Sequence, residues 1–588
     1  MKSLNLGILA HVDAGKTSLT ERLLYTAGVI DEIGSVDAGN TQTDSLQLER
    51  QRGITIKSAV ASFVFNETKV NLIDTPGHPD FIAEVERVLS VLDGVVLVIS
   101  AVEGVQAQTR VLMRVLQRLK IPTLILVNKI DRQGAQYERV LKEITEKLSL
   151  SVIPMGSVRD LGTQAADFMA FDSTAQPGQA YPVFFGSAIT GAGISSLITG
   201  ITKLLPAAEG DAAAPVSGSV FKIERGVKGE KIAYVRLSSG AIHVRKSLQF
   251  GQGQSGKVTT IDVFDQGKTI QRTSVVAGEI GKLRGLAGVK IGDAIGKVNT
   301  DSQRHFAAPT LETVVLSHNS TDKGKLRVAL DQLAEQDPLI NVRQDDVRQE
   351  IYVSLYGEVQ KQVIEATLAA DYGVAVDFLE TTPICIERPV GVGEAVEFFG
   401  KNDNPFLATL GLRIEPAPVG SGIRLKLNAR LESIPLYVYR SVPEFKESLE
   451  QYVADTLHRG LYGWRVVDAL ITLTECGYEA PISTAGDFRK LTPVVLMSAL
   501  KQAGTVVCEP ICRFELEIPV NALSPVLSAL GKLGAATRIT ATRSAAYILN
   551  GDIPSAQVHE LQQRLPALTS GEGILEYEFN RYEPMIPR

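Results

Sequence analysis

The sequence predicts a multidomain α/β and α+β protein. Its 588 residues are more than one hydrophobic core accommodates. Residues 1–205 alternate continuous apolar runs with helix-length segments, which is typical of a parallel sheet covered on both faces. Residues 216–300 carry short alternating strands with Gly-rich turns, and two later segments each read strand, helix, strand, strand, helix, strand. We therefore expect five structural units.

Changes in this pattern predict where the units begin and end. Residues 1–212 form the α/β unit, and 213–305, after a linker rich in Pro, Ala, Gly and Ser, form a β-barrel. Residues 306–382 and 508–588 carry the two repeated patterns, which indicate ferredoxin-like βαββαβ folds. Between them, 383–507 form a mixed unit that ends in a helix.

Charge, apolar runs and cysteine content indicate which classes of protein are excluded. The net charge of −6 and pI of about 5.8 argue against bulk electrostatic attraction to nucleic acid. No apolar run approaches the roughly 18 residues that span a bilayer, and the N-terminal strand passes directly into the first motif, so no targeting segment is expected. Few cysteines indicate a reducing, cytoplasmic compartment and no disulfide framework or metal cluster. They are Cys385, Cys476, Cys508 and Cys512.

The first motif, AHVDAGKT, lies between an apolar strand and a helical stretch, the context that a phosphate-binding loop requires. Backbone N–H groups of such a loop and of the helix N-terminus favour a bound phosphate. Lys16 is expected to reach the β- and γ-phosphates, and the Thr17 hydroxyl to ligate Mg²⁺. The motif comprises Ala10, His11, Val12, Asp13, Ala14, Gly15, Lys16 and Thr17.

Two further segments complete the expected phosphate side of the site. Asp74 ends an apolar strand and is expected to hold Mg²⁺ through water, while Gly77 offers a backbone N–H to the γ-phosphate. His78 is expected to orient the attacking water, and Thr55 in RGITI to supply a second hydroxyl to Mg²⁺. The polar, Gly-interrupted segment 35–58 predicts a switch that the triphosphate orders. The motif DTPGH comprises Asp74, Thr75, Pro76, Gly77 and His78.

The motif NKID predicts which base is bound. Asp131 can accept two hydrogen bonds from N1–H and the exocyclic amine of guanine, a donor pair that adenine lacks. Ser187 and Ala188 are expected to close the base pocket. GTP is therefore the predicted substrate, with Lys16, Thr55 and His78 as the catalytic set. The motif comprises Asn128, Lys129, Ile130 and Asp131.

Phosphoryl transfer at such a site depends on positioning and electrostatics. Unassisted GTPases are slow, at roughly 10⁻⁴–10⁻³ s⁻¹, and an activator adds about 10⁵-fold. The sequence therefore predicts a macromolecular partner that triggers hydrolysis.

Four segments stand in the order AHVDAGKT, LERQRGITI, DTPGHPDF and NKID. Together they resemble the translation-factor GTPases, and the order of the five units resembles elongation factor G, with a P-loop GTPase domain first and a domain IV between the ferredoxin-like domains. Elongation factor G carries a large insert between NKID and SA, whereas 55 residues separate Asp131 from Ser187 here. The stretches TDSLQLERQRGITI, SVLDGVVLVISAVEGVQAQTR, IPTLILVNKIDRQG and CGYEAPISTAGDFRKLTPVVLMSALKQAGT resemble the tetracycline-resistance ribosomal protection proteins, and the resemblance covers nearly the whole chain.

That resemblance implies a ribosome-activated GTPase that contacts the GTPase-activating region of the large subunit. It also implies that a domain IV loop enters the small-subunit decoding region and displaces the drug. The sequence gives no sign of oligomerisation, so we expect a monomer. Val12 with Ile54 matches the family's hydrophobic gate. Glu479 and Ala480 stand where the family usually has an aromatic residue and a serine. The matching tip is Tyr478, Glu479, Ala480, Pro481 and Ile482.

The sequence is also compatible with two other functions. One is a translocase-like or stress-type paralogue of elongation factor G, which would move tRNA and mRNA without releasing drug. The other is a GTP-dependent binding or signalling module unconnected with the ribosome, whose hydrolysis ribosomes would not stimulate.

Overall fold

The computed structural model describes most of the chain, and within that part the apolar side chains form five separate cores and a smaller sixth cluster. None of the helices in the described part is both long and apolar enough to cross a membrane. The described residues are 2–34, 55, 58–65, 67–77, 81–148, 150–171, 180–207, 210–226, 229–251, 253–296, 309–337, 340–345, 350–401, 404–543 and 546–585.

The first unit contains a seven-stranded sheet in the order β2-β3-β1-β4-β5-β9-β6. It is parallel except for β2, which is antiparallel to β3. The elements are β1 (Lys2–Ala10), α1 (Lys16–Thr26), β2 (Ala59–Phe65), β3 (Thr68–Asp74), α2 (Ile82–Leu89), β4 (Gly94–Ser100), α3 (Ala107–Leu119), β5 (Thr123–Asn128), α4 (Tyr137–Lys147), β6 (Val152–Pro154), the hairpin β7 (Gly156–Arg159) and β8 (Asp167–Ala170), β9 (Tyr181–Phe185) and α5 (Ile194–Leu204).

This sheet confirms the predicted α/β fold and positions the motifs. Strands β4 and β5 are buried at every residue, as their continuous apolar sequences require. Strands β1, β3, β5 and β9 run parallel, so their carboxyl ends lie at one edge of the sheet. Each predicted nucleotide motif directly follows or ends one of these four strands, and open α/β sheets bind ligands at this edge.

The second unit is all-β, as predicted. Eight strands form a sheet in the order β14-β13-β19-β10-β11-β18-β15-β16, and β12 pairs with β17. Side chains from both sheets share one apolar core. The elements are β10 (Ser217–Arg225), β11 (Lys231–Ser239), β12 (Ala241–His243), β13 (Ser247–Phe250), β14 (Gln254–Lys257), β15 (Thr260–Asp265), β16 (Lys268–Arg272), β17 (Ser274–Val276), β18 (Ile280–Arg284) and β19 (Ala294–Gly296).

The third and last units both have the predicted βαββαβ order. In each, two helices pack on an antiparallel sheet through leucine-rich stripes. The third unit comprises β20 (Leu311–Ser317), α6 (Lys323–Gln336), β21 (Val342–Asp345), β22 (Glu350–Leu355), α7 (Glu358–Tyr372), β23 (Val376–Phe378) and the short β24 (Thr382–Pro383). The last comprises β31 (Thr505–Pro519), α11 (Leu523–Lys532), β32 (Ala536–Arg543), β33 (Ala546–Pro554), α12 (Ser555–Thr569) and β34 (Ile574–Pro584).

The fourth unit packs two long helices, α9 and α10, on a sheet in the order β26-β27-β30-β28. Its elements, with two strands that join another sheet, are β25 (Ile386–Pro389), β26 (Gly393–Glu397), β27 (Ala408–Pro416), β28 (Ile423–Leu427), α8 (Leu436–Tyr439), α9 (Val442–Leu457), β29 (Arg465–Val466), β30 (Ala469–Tyr478) and α10 (Ala485–Ala503).

Strands β25 and β29 belong to the sheet of the last unit. Ile386–Pro389 pair with the first residues of β31, before the stretch that pairs with β33 begins, and β29 pairs with β25. The predicted division between 383–507 and 508–588 separates these strands from the sheet that contains them. The physical reason is the length of β31, whose 15 residues exceed what β33 covers.

Glu387 of β25 fixes the loop before β29. Its carboxylate is fully buried, and a Cβ on Gly460 would lie only 2.4 Å from its Oε2. A buried carboxylate is tolerated where donors satisfy its lone pairs. The donors, at 2.6–3.1 Å, are the backbone N–H groups of Leu461, Tyr462 and Trp464 and the hydroxyl of Thr505.

Glu387→Gln tests this anchor. The amide keeps the shape but loses one acceptor oxygen, so we expect hydrogen-exchange protection of the Leu461, Tyr462 and Trp464 amides to fall about tenfold, the equivalent of one lost buried hydrogen bond. Exchange measured by mass spectrometry checks this, with the exposed Glu394→Gln as the matched control. Unchanged protection in Glu387→Gln would contradict the anchoring role.

Candidate functional site

The loop between β1 and α1 has the backbone of a phosphate-binding loop. Asp13 has φ +64° and Gly15 has φ +89°, a left-handed conformation that glycine adopts without strain. A Cβ on Gly15 would also lie 2.3 Å from Nδ2 of Asn128, so both backbone and space favour glycine there. Helix α1 begins at Lys16, and no described side chain caps its N-terminus. Its first N–H groups therefore face the loop.

The Asn128 side chain joins three of the predicted motifs. Its Nδ2 donates to the carbonyl of Ala14 at 2.9 Å, and its Oδ1 accepts from the N–H of Ala188 at 2.9 Å. The side chain is buried. The phosphate loop, NKID and the SA segment are thus brought together, as their order along the sequence predicts.

The base-reading side of the site is a buried carboxylate with a free acceptor. Asp131 is 5% exposed, and its Oδ1 has no hydrogen-bond partner among the described residues. Burying an acceptor without a donor is costly, so this oxygen suits a ligand with N–H groups such as guanine. Ser187, also buried, receives a hydrogen bond from the N–H of Thr190 and shapes the neighbouring turn.

Four buried side chains cluster on the phosphate side. Lys16 Nζ lies 2.5 Å from Oδ1 of Asp74 and 2.9 Å from Oγ1 of Thr55, and Thr17 Oγ1 lies 3.3 Å from Oγ1 of Thr55. All four are less than 10% exposed. The structure therefore brings together one cation, two hydroxyls and one carboxylate from three separate segments.

These oxygen ligands fit a small, hard cation that also binds phosphate oxygens. Mg²⁺ prefers oxygen ligands and usually combines one or two carboxylates with waters and substrate phosphates. Within the described residues, no group of three or more His, Cys, Asp or Glu side chains could hold a metal without such help. Two hydroxyls and one carboxylate beside a phosphate loop meet this requirement.

The segment after β3 is tied to its neighbours through backbone groups. Thr75 Oγ1 donates to the carbonyl of Ile8 at 3.0 Å, and Gln108 Nε2 donates to the carbonyl of Gly77. Pro76 is buried, and Val12 is 38% exposed. The predicted water-orienting His78 and the gate residue Ile54 lie outside the described residues.

Three residues outside the sequence motifs contact the site. Thr109 of α3 lies with its Oγ1 2.9 Å from Nδ1 of His11, and burial lowers the pKa of this imidazole to about 4, so it is neutral at pH 7. Arg22 of α1 donates through Nε to the carbonyl of Ala188 at 2.8 Å. Lys129 Nζ pairs with Glu103 at 3.2 Å. Only the folded chain brings these residues to the loops.

The loop between β30 and α10 forms a braced, exposed tip. Glu479, Ala480, Pro481 and Ile482 are exposed, with Ile482 51% so, and the peptide before Pro481 is cis. Behind them Ser483 is buried. Its Oγ accepts from the N–H of Glu479 at 2.8 Å and donates to the carbonyl of Leu407 at 2.5 Å. The Tyr478 ring lies 5.3 Å from that of Tyr437, whose hydroxyl donates to the Ser483 carbonyl at 2.7 Å.

Comparison with protein families matches four parts of the chain. Residues 1–207 match the Elongation factor Tu GTP binding domain. Three later segments match the Elongation Factor G domain III, domain IV and C-terminus. They are 306–380, 393–504 and 506–587, respectively.

Individual proteins are similar over the full length. The chain is 44% identical to the oxytetracycline resistance protein of Streptomyces rimosus, covering 100% of this chain and 96% of that protein. It is 42% identical to the tetracycline resistance protein TetM of Streptomyces lividans (98% and 96%) and 40% identical to TetP of Clostridium perfringens (99% and 95%). A crystal structure from Thermus thermophilus has the same fold, with a TM-score of 0.66, 22% identity and coverage of 100% and 98%. The chain therefore carries domains of elongation factor G and belongs to the family of the tetracycline resistance proteins.

Proposed function

We propose that this protein is a ribosome-dependent GTPase that releases tetracycline from the small-subunit decoding region and so protects the ribosome. The observation that carries the proposal is the combination of a GTP-binding domain with full-length similarity to proteins named for tetracycline resistance. The same similarity favours this function over that of a translocase-like paralogue of elongation factor G.

The arrangement on the phosphate side supports a division of roles. We assign Lys16 to the β- and γ-phosphates, and Thr17, Thr55 and Asp74 to Mg²⁺ directly or through water. Bound Mg²⁺ would neutralise charge that develops on the transferred phosphoryl group. His78, which lies outside the described residues, orients the attacking water. The loop amides from Asp13 to Thr17 hold the phosphates in place.

The base side supports selection of guanine. Asp131 offers its unpartnered Oδ1 to N1–H and the exocyclic amine, while Ala188 and Ser187 close the pocket. Asn128 holds the loops that surround the nucleotide at the correct separation.

The exposed tip, 478–482, is the segment that we assign to the decoding region. Residues 383–507 contain 13 Lys and Arg against 14 Asp and Glu, so bulk charge does not attract this unit to RNA, and its shape must direct the contact. Glu479 adds a repulsive charge near phosphates. The hydrogen bonds of Ser483 hold the loop in place. A loop that is already ordered loses less conformational entropy on docking. We propose that the protein acts as a monomer in the cytoplasm and contacts the GTPase-activating region of the large subunit.

We also propose that the chain divides into five domains at the boundaries predicted from the sequence. They are 1–212, 213–305, 306–382, 383–507 and 508–588. The location of the five cores supports this division. The boundary at 507/508 falls within β31, and β25 and β29 extend the sheet of the last domain.

His78→Ala tests the hydrolytic assignment. Without the imidazole the attacking water loses its orientation, so we expect ribosome-stimulated GTP hydrolysis to fall at least about 100-fold while GTP still binds. Phosphate release with and without purified ribosomes measures this, and His458→Ala, at an exposed position, is the control. Retained stimulated turnover in His78→Ala would refute the role.

Asp131→Asn tests the base assignment. The amide cannot accept both guanine N–H hydrogen bonds but can donate to the 2-oxo group of xanthine. We therefore expect affinity for GTP to fall at least about 100-fold and affinity for xanthosine triphosphate to rise. Competition binding measures both, with the exposed Asp160→Asn as the control. An unchanged preference for GTP would exclude Asp131 from base recognition.

Pro481→Gly tests the tip. We expect ribosome-stimulated GTP hydrolysis to persist, because the nucleotide site lies in another domain, while rescue of tetracycline-inhibited translation is lost. Translation by purified ribosomes at graded drug concentrations measures rescue, and Pro418→Gly, in an exposed turn of the same unit, is the matched control. Full rescue by Pro481→Gly would exclude this loop, and translocation without any rescue by the unchanged protein would favour the paralogue function.

A further inference from the structure

Ser58 is a junction between three units of the chain. It follows Thr55 by three residues and is 1% exposed. Its carbonyl accepts a hydrogen bond from Lys222 Nζ in β10 of the second unit at 2.6 Å. Its hydroxyl donates to Oε2 of Glu84 in α2 at 3.0 Å. Both groups of this one residue are thus held by side chains distant in sequence.

Lys222 is itself fixed by two neighbouring side chains. Its Nζ lies 2.7 Å from Oε1 of Glu224 and 5.1 Å from the ring centroid of Tyr234, whose hydroxyl donates to the other carboxylate oxygen at 2.5 Å. Burial alone would raise the pKa of Glu224, but Lys222 and the Tyr234 hydroxyl lower it to about 2. The carboxylate is therefore charged at neutral pH and holds the ammonium group against the Ser58 carbonyl.

The interface around this contact is apolar and closely packed. Ile73, Val88 and Val91 of the first unit form a buried cluster with Phe221, Ile232, Tyr234, Phe264 and Ile280 of the second. Because packed interiors transmit displacements, the second unit is a firm support for Lys222.

The third unit is connected to the same junction. Glu84 Oε1 accepts from Arg87 Nη1 at 2.8 Å, and Arg87 in turn pairs with Asp337, directly after α6. The Arg87 side chain is 10% exposed. Ser58 is therefore supported from the second unit through Lys222 and from the third through Glu84 and Arg87.

The junction lies close to the phosphate side of the site. Three residues of chain span at most about 11 Å, and Thr55 Oγ1 lies 2.9 Å from Lys16 Nζ. We propose that Lys222 is a positioning residue for the nucleotide site, which, by holding Ser58, sets where Thr55 meets Mg²⁺ and the γ-phosphate. This inference rests on the role proposed for Thr55. GDP has no γ-phosphate, so Lys222 favours binding of the triphosphate over the diphosphate.

Lys222→Met tests this role in the full-length protein without ribosomes. It removes the charge-assisted hydrogen bond but keeps most of the side-chain volume. We expect affinity for a fluorescent, non-hydrolysable GTP analogue in Mg²⁺ to fall about tenfold and affinity for GDP to stay within about twofold. Lys222→Arg, which retains a donor, recovers most of the loss. Lys282→Met is the matched control, since Lys282 lies 5.0 Å from the same Tyr234 ring, and it leaves both affinities unchanged.

An equal loss of both nucleotides, or an unchanged preference for the GTP analogue, would overturn the inference. Because Lys222→Met leaves the Glu224 carboxylate without its paired cation, the double variant Lys222→Met/Glu224→Gln is measured as well, with thermal melting as a check on folding. The double variant shows the same selective loss of affinity for the GTP analogue if Lys222 acts on Ser58.

The drug-release function is tested separately. A protein with normal nucleotide selectivity that fails to rescue translation would refute drug release and leave this inference standing.

Discussion

The nucleotide site depends on the two hydrogen bonds of the Asn128 amide. Its Nδ2 donates to the carbonyl of Ala14 in the phosphate loop, and its Oδ1 accepts from the N–H of Ala188 in the SA segment. The side chain is buried, and there the loss of a hydrogen-bond partner costs more free energy than it would in water. Neither loop can move away without leaving half of the amide unsatisfied. Gly15 permits this arrangement, since any side chain there would occupy the space of Nδ2.

Much of the fold follows from local sequence patterns. The run VVLVIS predicts a strand buried on both faces, and β4 is that strand, because continuous apolar sequence has no other stable place in an α/β unit. The stripe of Leu326, Leu330 and Leu333 likewise predicts the buried face of α6. The nucleotide motifs are equally local, and the sheet brings them together because parallel strands end at one edge. The grouping of Lys16, Thr17 and Asp74 was predictable for this reason, although their distances were not. Thr55 follows none of these strands, so its placement was predictable only from the motif RGITI.

Other features depend on contacts that sequence spacing does not encode. Glu387 in IERPV has the pattern of a charge on an exposed strand, yet it is buried and holds a loop more than 70 residues away. Lys222 and Ser58 are 164 residues apart, and no motif connects them. The pairing of β25 with β31 also joins segments on opposite sides of a whole unit. Such contacts arise from how the units pack, and a single sequence carries no periodic signal for that.

The chain runs from the exposed tip of the fourth unit, through one helix, directly into the central strand of the last unit. Helix α10 begins just behind Ser483, runs for 19 residues, or about 28 Å, and is followed after Gly504 by β31, the central strand of the last sheet. Helix α10, which contains Pro493, therefore connects the tip to a strand that is hydrogen-bonded on both edges. The position of the tip thus depends on the last unit as well as on the sheet of the fourth.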